Sequence, residues 1–318
     1  MDEISFKDKS KIIYLLGSII LLIGLCSAFI APLEIRSYYL FSEGGKFYFK
    51  GFGIGSLMFA NITIQVIAYY LIAILFIILG YGHLKLREWA RSWSIAVLWA
   101  WIVIGAPISL VLIFMFSVKS TSAALMVIGI LLVYPVIPLL MIWFYKTKNV
   151  FLTFNKTKNN LNPNNNNVVK EFPIIVKTIS VLFIFFIIVF HIHFLFNGFF
   201  PLFGKLLAGL NGFILIDIFI LILGFLTWGL LRLKSWSCYG SIIYLVFLIL
   251  STAITLYKQN IQSLLSVMTF APKEMEIINN ITLKDWQISM ILGVSVIIPL
   301  IATIALLAIN KRYFKKGL

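Results

Sequence analysis

From Ile12 to Leu33 the chain runs 22 residues without a charged side chain. A helix needs roughly 20 apolar residues to cross the hydrocarbon core of a bilayer, so one such run already points to a membrane. Here the run recurs, over about Asn61–Gly82, Trp93–Phe116, Thr121–Tyr145, Pro173–Leu195, Asn211–Leu231, Trp236–Tyr257 and Trp286–Asn310, broken by charge only at Lys177 and Asp217. Only 12% of the 318 residues are charged, against about a quarter in soluble domains, and no stretch remains for a separate soluble domain. Lys7, Lys9 and Lys11 precede the first run as they would in a signal peptide, but its length exceeds a typical signal core and favours a retained helix. Cys26 and Cys238 fall inside apolar runs, without the neighbours a disulfide framework or zinc site would need, and read as small packed hydrophobes.

Between the second and third runs lies a short basic turn, Gly82 to Ile95, GHLKLREWARSWSI. It returns 147 positions later as Gly229 to Ile242, GLLRLKSWSCYGSI, sharing glycine, leucine, tryptophan, serine and isoleucine positions and both cations. A second echo pairs VIPLL at Val136–Leu140 with IIPLI at Ile297–Ile301, now 161 positions apart, which leaves 14 extra residues for the long connection from Lys258 to Asp285. These echoes predict two four-helix repeats: a first in residues 1–150, a second in residues 173–318, and between them a flexible Asn-rich linker over 151–172. With four spans each, both repeats enter from the same side and are parallel, related by an axis along the membrane normal. The pattern G-x-L-[KR]-L-[KR]-x-W resembles the cytoplasmic turn of small, uncharacterised prokaryotic multi-pass proteins. That resemblance implies a four-helix membrane unit and no particular activity.

Positive residues concentrate in cytoplasmic loops. With both termini inside, the outer side receives Arg36, Lys46, Lys50, Lys119, Lys205, Lys258, Lys273 and Lys284, and the other 18 of the 26 Lys and Arg fall inside. The expected location is therefore the plasma membrane of a prokaryotic cell with both termini cytoplasmic. The net charge of +15 follows from topology, attracts anionic lipid at the cytoplasmic face by about 1 kcal/mol per well-placed cation, and gives no reason to expect a nucleic-acid partner. Lys85, Arg87 and Trp89, with Arg232, Lys234 and Trp236, read as interfacial anchors. Two aromatic runs, Ser37–Phe41 and Lys46–Phe52, flank Ser42-Glu43-Gly44-Gly45 and predict a small extracytoplasmic β-hairpin. Pro32 is expected to end the first helix.

A charge inside the bilayer is a functional-site hypothesis by default. Asp217 is expected about 8 Å below the outer end of its helix, at 1.5 Å per residue. His191 and His193 lie near the same level on the preceding helix, so a pair between Asp217 and one histidine is the candidate intramembrane polar site. The two histidines are about 200° apart around a helix and cannot easily share a metal. No phosphate loop, HExxH, GxSxG or CxxC occurs, so no catalytic residue, cofactor or metal is assigned. Ser251 and Thr255, at i and i+4 on one face, suit hydrogen bonding between helices, with packing preferred over a role in lining a solute path.

The fold class expected is thus an all-α membrane protein of eight transmembrane helices. The leading function is a non-enzymatic binding or assembly component of a membrane complex, partnered by the bilayer and by another membrane protein or a second copy. The alternative is a transporter or channel with a path between the two repeats near Asp217.

Overall fold

The computed structural model describes residues 7–42, 45–46, 57–115, 121–159, 172–260, 263 and 285–314. Among these are α1 (Ser10–Phe41), α2 (Leu57–Leu84), α3 (Glu88–Met115), α4 (Thr121–Leu131), α5 (Ile137–Lys146), α6 (Lys148–Asn159), α7 (Ile174–Ile192), α8 (Gly209–Leu231), α9 (Ser235–Lys258) and α10 (Asp285–Ile309). A π-turn at Leu132–Val136 joins α4 to α5. Among the described residues eight helical segments are long and apolar enough to cross a membrane, α4 and α5 together supplying the fourth. The chain is a multi-pass helical membrane protein.

Apolar side chains gain little by leaving lipid for protein, so helices in a membrane associate through close packing and hydrogen bonds. The pair α1–α2 shows the first of these. A methyl group on Gly17 would come within 2.7 Å of His83 Cβ, one on Gly24 within 2.9 Å of the Ile77 backbone, and one on Gly80 within 2.7 Å of the Leu21 backbone. Substituting any of the three would force these backbones apart. Pro32 does not end α1, which continues to Phe41. A membrane helix survives proline where local adjustments re-satisfy the freed carbonyl, and the expected stop was a rule of soluble helices. Pro135 is accommodated differently, inside the π-turn, whose extra residue absorbs the break in the ladder. That turn lays Tyr134 flat on Trp101, ring centroids 5.5 Å apart, and against Gly105.

The internal order of packing is the same in both sets of four spans. In the first, α1 packs on α2, α2 on α3 and α3 on α5; in the second, α7 packs on α8, α8 on α9 and α9 on α10. The halves meet through α3, which lies against both α7 and α10. An exact two-fold relation would also set α9 against α1 and α5 to a similar extent, and no contact that extensive joins these helices among the described residues.

Two connections differ from expectation. The segment after α5 begins with a helix, α6, where a flexible linker was expected; residues 160–171 lie outside the described residues. Val150, Thr153 and Phe154, at i, i+3 and i+4, are buried, and the backbone N–H of Lys9 donates to Thr153 Oγ1 at 3.1 Å, tying the start of α1 to this helix. A small two-stranded antiparallel hairpin exists, but it pairs β1 (Phe200–Leu202) with β2 (Lys205–Leu207). Ser37–Phe41, expected as its first arm, is helical, and Phe47–Phe52 lies outside the described residues.

The hairpin turns through Phe203 and Gly204, with φ of 47° and 87°, positive at both central positions as the right-handed twist of the strands requires. Helix α9 holds this strained turn in place. Ser251 Oγ accepts from Phe203 N–H (3.2 Å) and donates to the Pro201 carbonyl (2.8 Å); Thr255 Oγ1 accepts from Gly204 N–H (2.9 Å). The Ser251/Thr255 face therefore bonds a hairpin, not a neighbouring helix. Beneath it Phe190, Phe200, Phe219 and Tyr244 form an aromatic core between α7, α8 and α9, with Phe200 and Phe219 centroids 4.8 Å apart.

Candidate functional site

Asp217 is the residue that hydropathy singles out, and the structure places it apart from both histidines. It lies eight residues after Gly209, about 12 Å along α8 at 1.5 Å per residue. Ile216 and Phe219 turn into the protein core, at 0% and 7% exposure. Asp217, about 100° on from Ile216 around the helix, is exposed instead, on a face with Ile214, Ile218 and Leu221 that is 46–72% exposed at those three positions. It makes no hydrogen bond or ion pair with any described residue. His191 Nδ1 donates to the Ile187 carbonyl (2.8 Å) and its ring stacks on Phe194. His193 Nδ1 donates to the Val189 carbonyl (2.9 Å) and its ring stacks on Phe199. The expected Asp–His pair is not formed. The azimuth of Asp217 around α8 directs it outward, away from α7.

His193 instead lines a cavity of about 570 Å³ in the half of the protein remote from the basic turns. Ile104 and Ile108 of α3 form one wall; α7, β1, α9 and α10 form the others. Most lining atoms belong to Phe, Leu, Ile, Val and Pro residues, and the polar groups are His193, Ser251, Thr252, Thr255 and Ser295. The cavity lies between the two halves, as a path between repeats would, but Asp217 does not line it.

At the opposite end, beside the first basic turn, sits a polar cluster that sequence reasoning missed. His83 is fully buried. Its Nδ1 donates to the Leu79 carbonyl (2.7 Å), so in the neutral ring Nε2 is the acceptor for Tyr145 O–H at 2.6 Å. Phe154 from α6 meets the same imidazole edge to face. Arg91, 5% exposed, places its guanidinium 4.7 Å from the Phe151 ring centre and reaches the Tyr145 carbonyl at 3.4 Å. Lys177 of α7, 8% exposed, donates to Ser92 Oγ and lies over the Trp93 ring, joining the two halves. Arg91 and Lys177 are thus buried structural cations rather than loop charges. A signal existed: within the matching turns, His83 and Arg91 stand where the second copy has Leu230 and Cys238.

The six anchor residues Lys85, Arg87, Trp89, Arg232, Lys234 and Trp236 are all exposed, which suits contact with headgroups. Trp236 stacks on Phe225 at 4.6 Å, and Arg232 covers the Trp228 ring at 4.3 Å. Cys238 is buried as a small hydrophobe, whereas Cys26 is exposed on α1. Among the described residues no three His, Cys, Asp or Glu side chains gather as metal ligands would. Comparison of the chain with protein-family models, with curated proteins and with solved structures gave no match.

Proposed function

We propose that this chain is a non-enzymatic assembly component of a membrane complex in the plasma membrane of a prokaryotic cell, built by internal duplication of a four-helix unit. The observation that carries the reading is Asp217, exposed on an apolar face of α8 with no partner among the described residues. A charged side chain near the middle of a membrane helix costs about 2.5–3.5 kcal/mol on insertion scales. A second transmembrane helix presenting a cation or hydroxyl, from another protein or a second copy, offsets that cost. A transport path beside Asp217 has less support, since the residue faces away from the seam between the halves. Duplication is supported by the matching turns and by the shared packing order, and the likeness to the basic turns of prokaryotic multi-pass proteins fits the same origin.

Both termini and both basic turns are assigned to the cytoplasm, where the anchors meet anionic lipid. Cysteines introduced at Ser42 and Asn165 test this. An impermeant thiol reagent on intact cells should label Ser42→Cys and spare Asn165→Cys, and the reverse pattern would invert the assignment. The assembly reading is tested by purification from native membranes in mild detergent. The wild-type protein should run as a complex that Asp217→Leu disperses; a wild-type protein running as a stable monomer would overturn the reading.

A further inference from the structure

The cavity between α3 and the second half is distinct from the Asp217 face and has its own chemistry. Its volume, about 570 Å³, falls within the range of about 300–1,000 Å³ common to small-molecule sites. The aromatic and aliphatic lining suits a hydrocarbon. Among the described lining residues there is no Asp, Glu, Lys or Arg, so a phosphate or carboxylate would enter without a counter-charge at a prohibitive cost.

The polar groups are not equivalent. Ser251 and Thr255 are committed to the hairpin. Thr252 and Ser295 make no hydrogen bond with any described residue, and each can donate and accept. His193 uses Nδ1–H on the Val189 carbonyl, which leaves the Nε2 of the neutral ring as a bare acceptor. An acceptor and two free hydroxyls lining the same cavity call for a ligand that brings its own O–H, since a ketone or ester would leave the imidazole unmet.

We propose that the cavity lined by His193, Thr252 and Ser295 binds an uncharged lipid-like alcohol, its hydroxyl donating to His193 Nε2 or exchanging hydrogen bonds with the two side-chain hydroxyls, and its hydrocarbon lying among Phe186, Phe190 and Leu300. The cavity lies at membrane depth, so such a ligand reaches it by partitioning into the bilayer.

The test uses the full chain in phosphatidylcholine nanodiscs with a diazirine-bearing hexadecanol, photolysed and mapped by peptide mass spectrometry. Adducts should concentrate on the lining residues of α7, α9 and α10, and excess unlabelled hexadecanol should remove them. His193→Phe and Thr252→Val should each lower labelling at limiting probe by up to about tenfold, the loss of one hydrogen bond. Asp217→Asn should leave labelling unchanged. A permanently charged hexadecyl sulfate analogue should label the cavity at least about tenfold less, because its anionic head has no counter-charge there. Adducts scattered over the outward helix faces, labelling that hexadecanol does not compete, or equal labelling by the charged analogue would overturn the proposal. Because mapping and competition are read on the wild-type protein, misfolding of a variant would not protect it.

Discussion

The two basic turns share a backbone and differ in what surrounds it. In each, the first helix closes with the same pair of bonds: Leu86 N–H to the His83 carbonyl and Arg87 N–H to the Gly82 carbonyl, at 3.0 and 2.8 Å, against Leu233 N–H to the Leu230 carbonyl and Lys234 N–H to the Gly229 carbonyl, at 2.9 and 3.0 Å. This is a Schellman closure with leucine where glycine is usual, at φ of 48° for Leu86 and 54° for Leu233. Methyl groups on Gly82 and Gly229 would strike the Trp89 and Trp236 rings at 2.7 and 2.6 Å. Beyond the backbone the copies part. Around the first turn His83, Arg91 and Tyr145 form a buried polar cluster roofed by Phe154. Leu230 and Cys238 of the second copy lie in an apolar cluster with Phe314, which follows the last span as Phe154 follows the fourth. One turn geometry therefore carries either a hydrogen-bonded or an apolar filling.

The most damaging way to break that equivalence is to mix the fillings. Leu230→His puts an imidazole into the apolar cluster without a partner for its ring, and should lower stability by roughly 2–5 kcal/mol in a detergent unfolding measurement. Next come Gly82→Ala and Gly229→Ala, each expected to cost about 1–3 kcal/mol through overpacking against tryptophan. The two losses should match, and a large difference would show that the turns are not equivalent. The mildest change is a pair of substitutions in the first copy. His83→Leu strands the Tyr145 hydroxyl and should cost about 1–3 kcal/mol, while His83→Leu with Tyr145→Phe removes both partners and should recover most of that loss. A double variant no better than the single one would show that the hydroxyl is satisfied elsewhere.

Much of the fold was readable because hydrocarbon imposes one rule, long charge-free runs, and all eight spans were placed from it. The turns were readable because their glycine, leucine and tryptophan positions repeat. What escaped needs azimuth or context. Pro32 was given the meaning it has in water. The buried face of α6, Val150, Thr153 and Phe154, was hidden by the asparagines and lysines around it. The aromatic run at Ser37–Phe41 suggested a strand, while the actual hairpin had its signal in the turn Phe203–Gly204 and the short flanks on either side. Asp217 was found by its charge, but its separation from His191 and His193 depends on which face of α8 packs inward, and an almost uniformly apolar helix does not reveal that. The pocket is assembled from segments of the chain spread between Ile104 and Leu300, so composition could not locate it.

The central claim, that the Asp217 face of α8 is covered by another transmembrane segment, is tested most directly by photocross-linking in native membranes. A benzophenone amino acid placed at Leu221, 72% exposed on that face, should yield a discrete cross-linked protein band that Asp217→Leu abolishes. Adducts with lipid alone, unchanged by Asp217→Leu, would contradict the account.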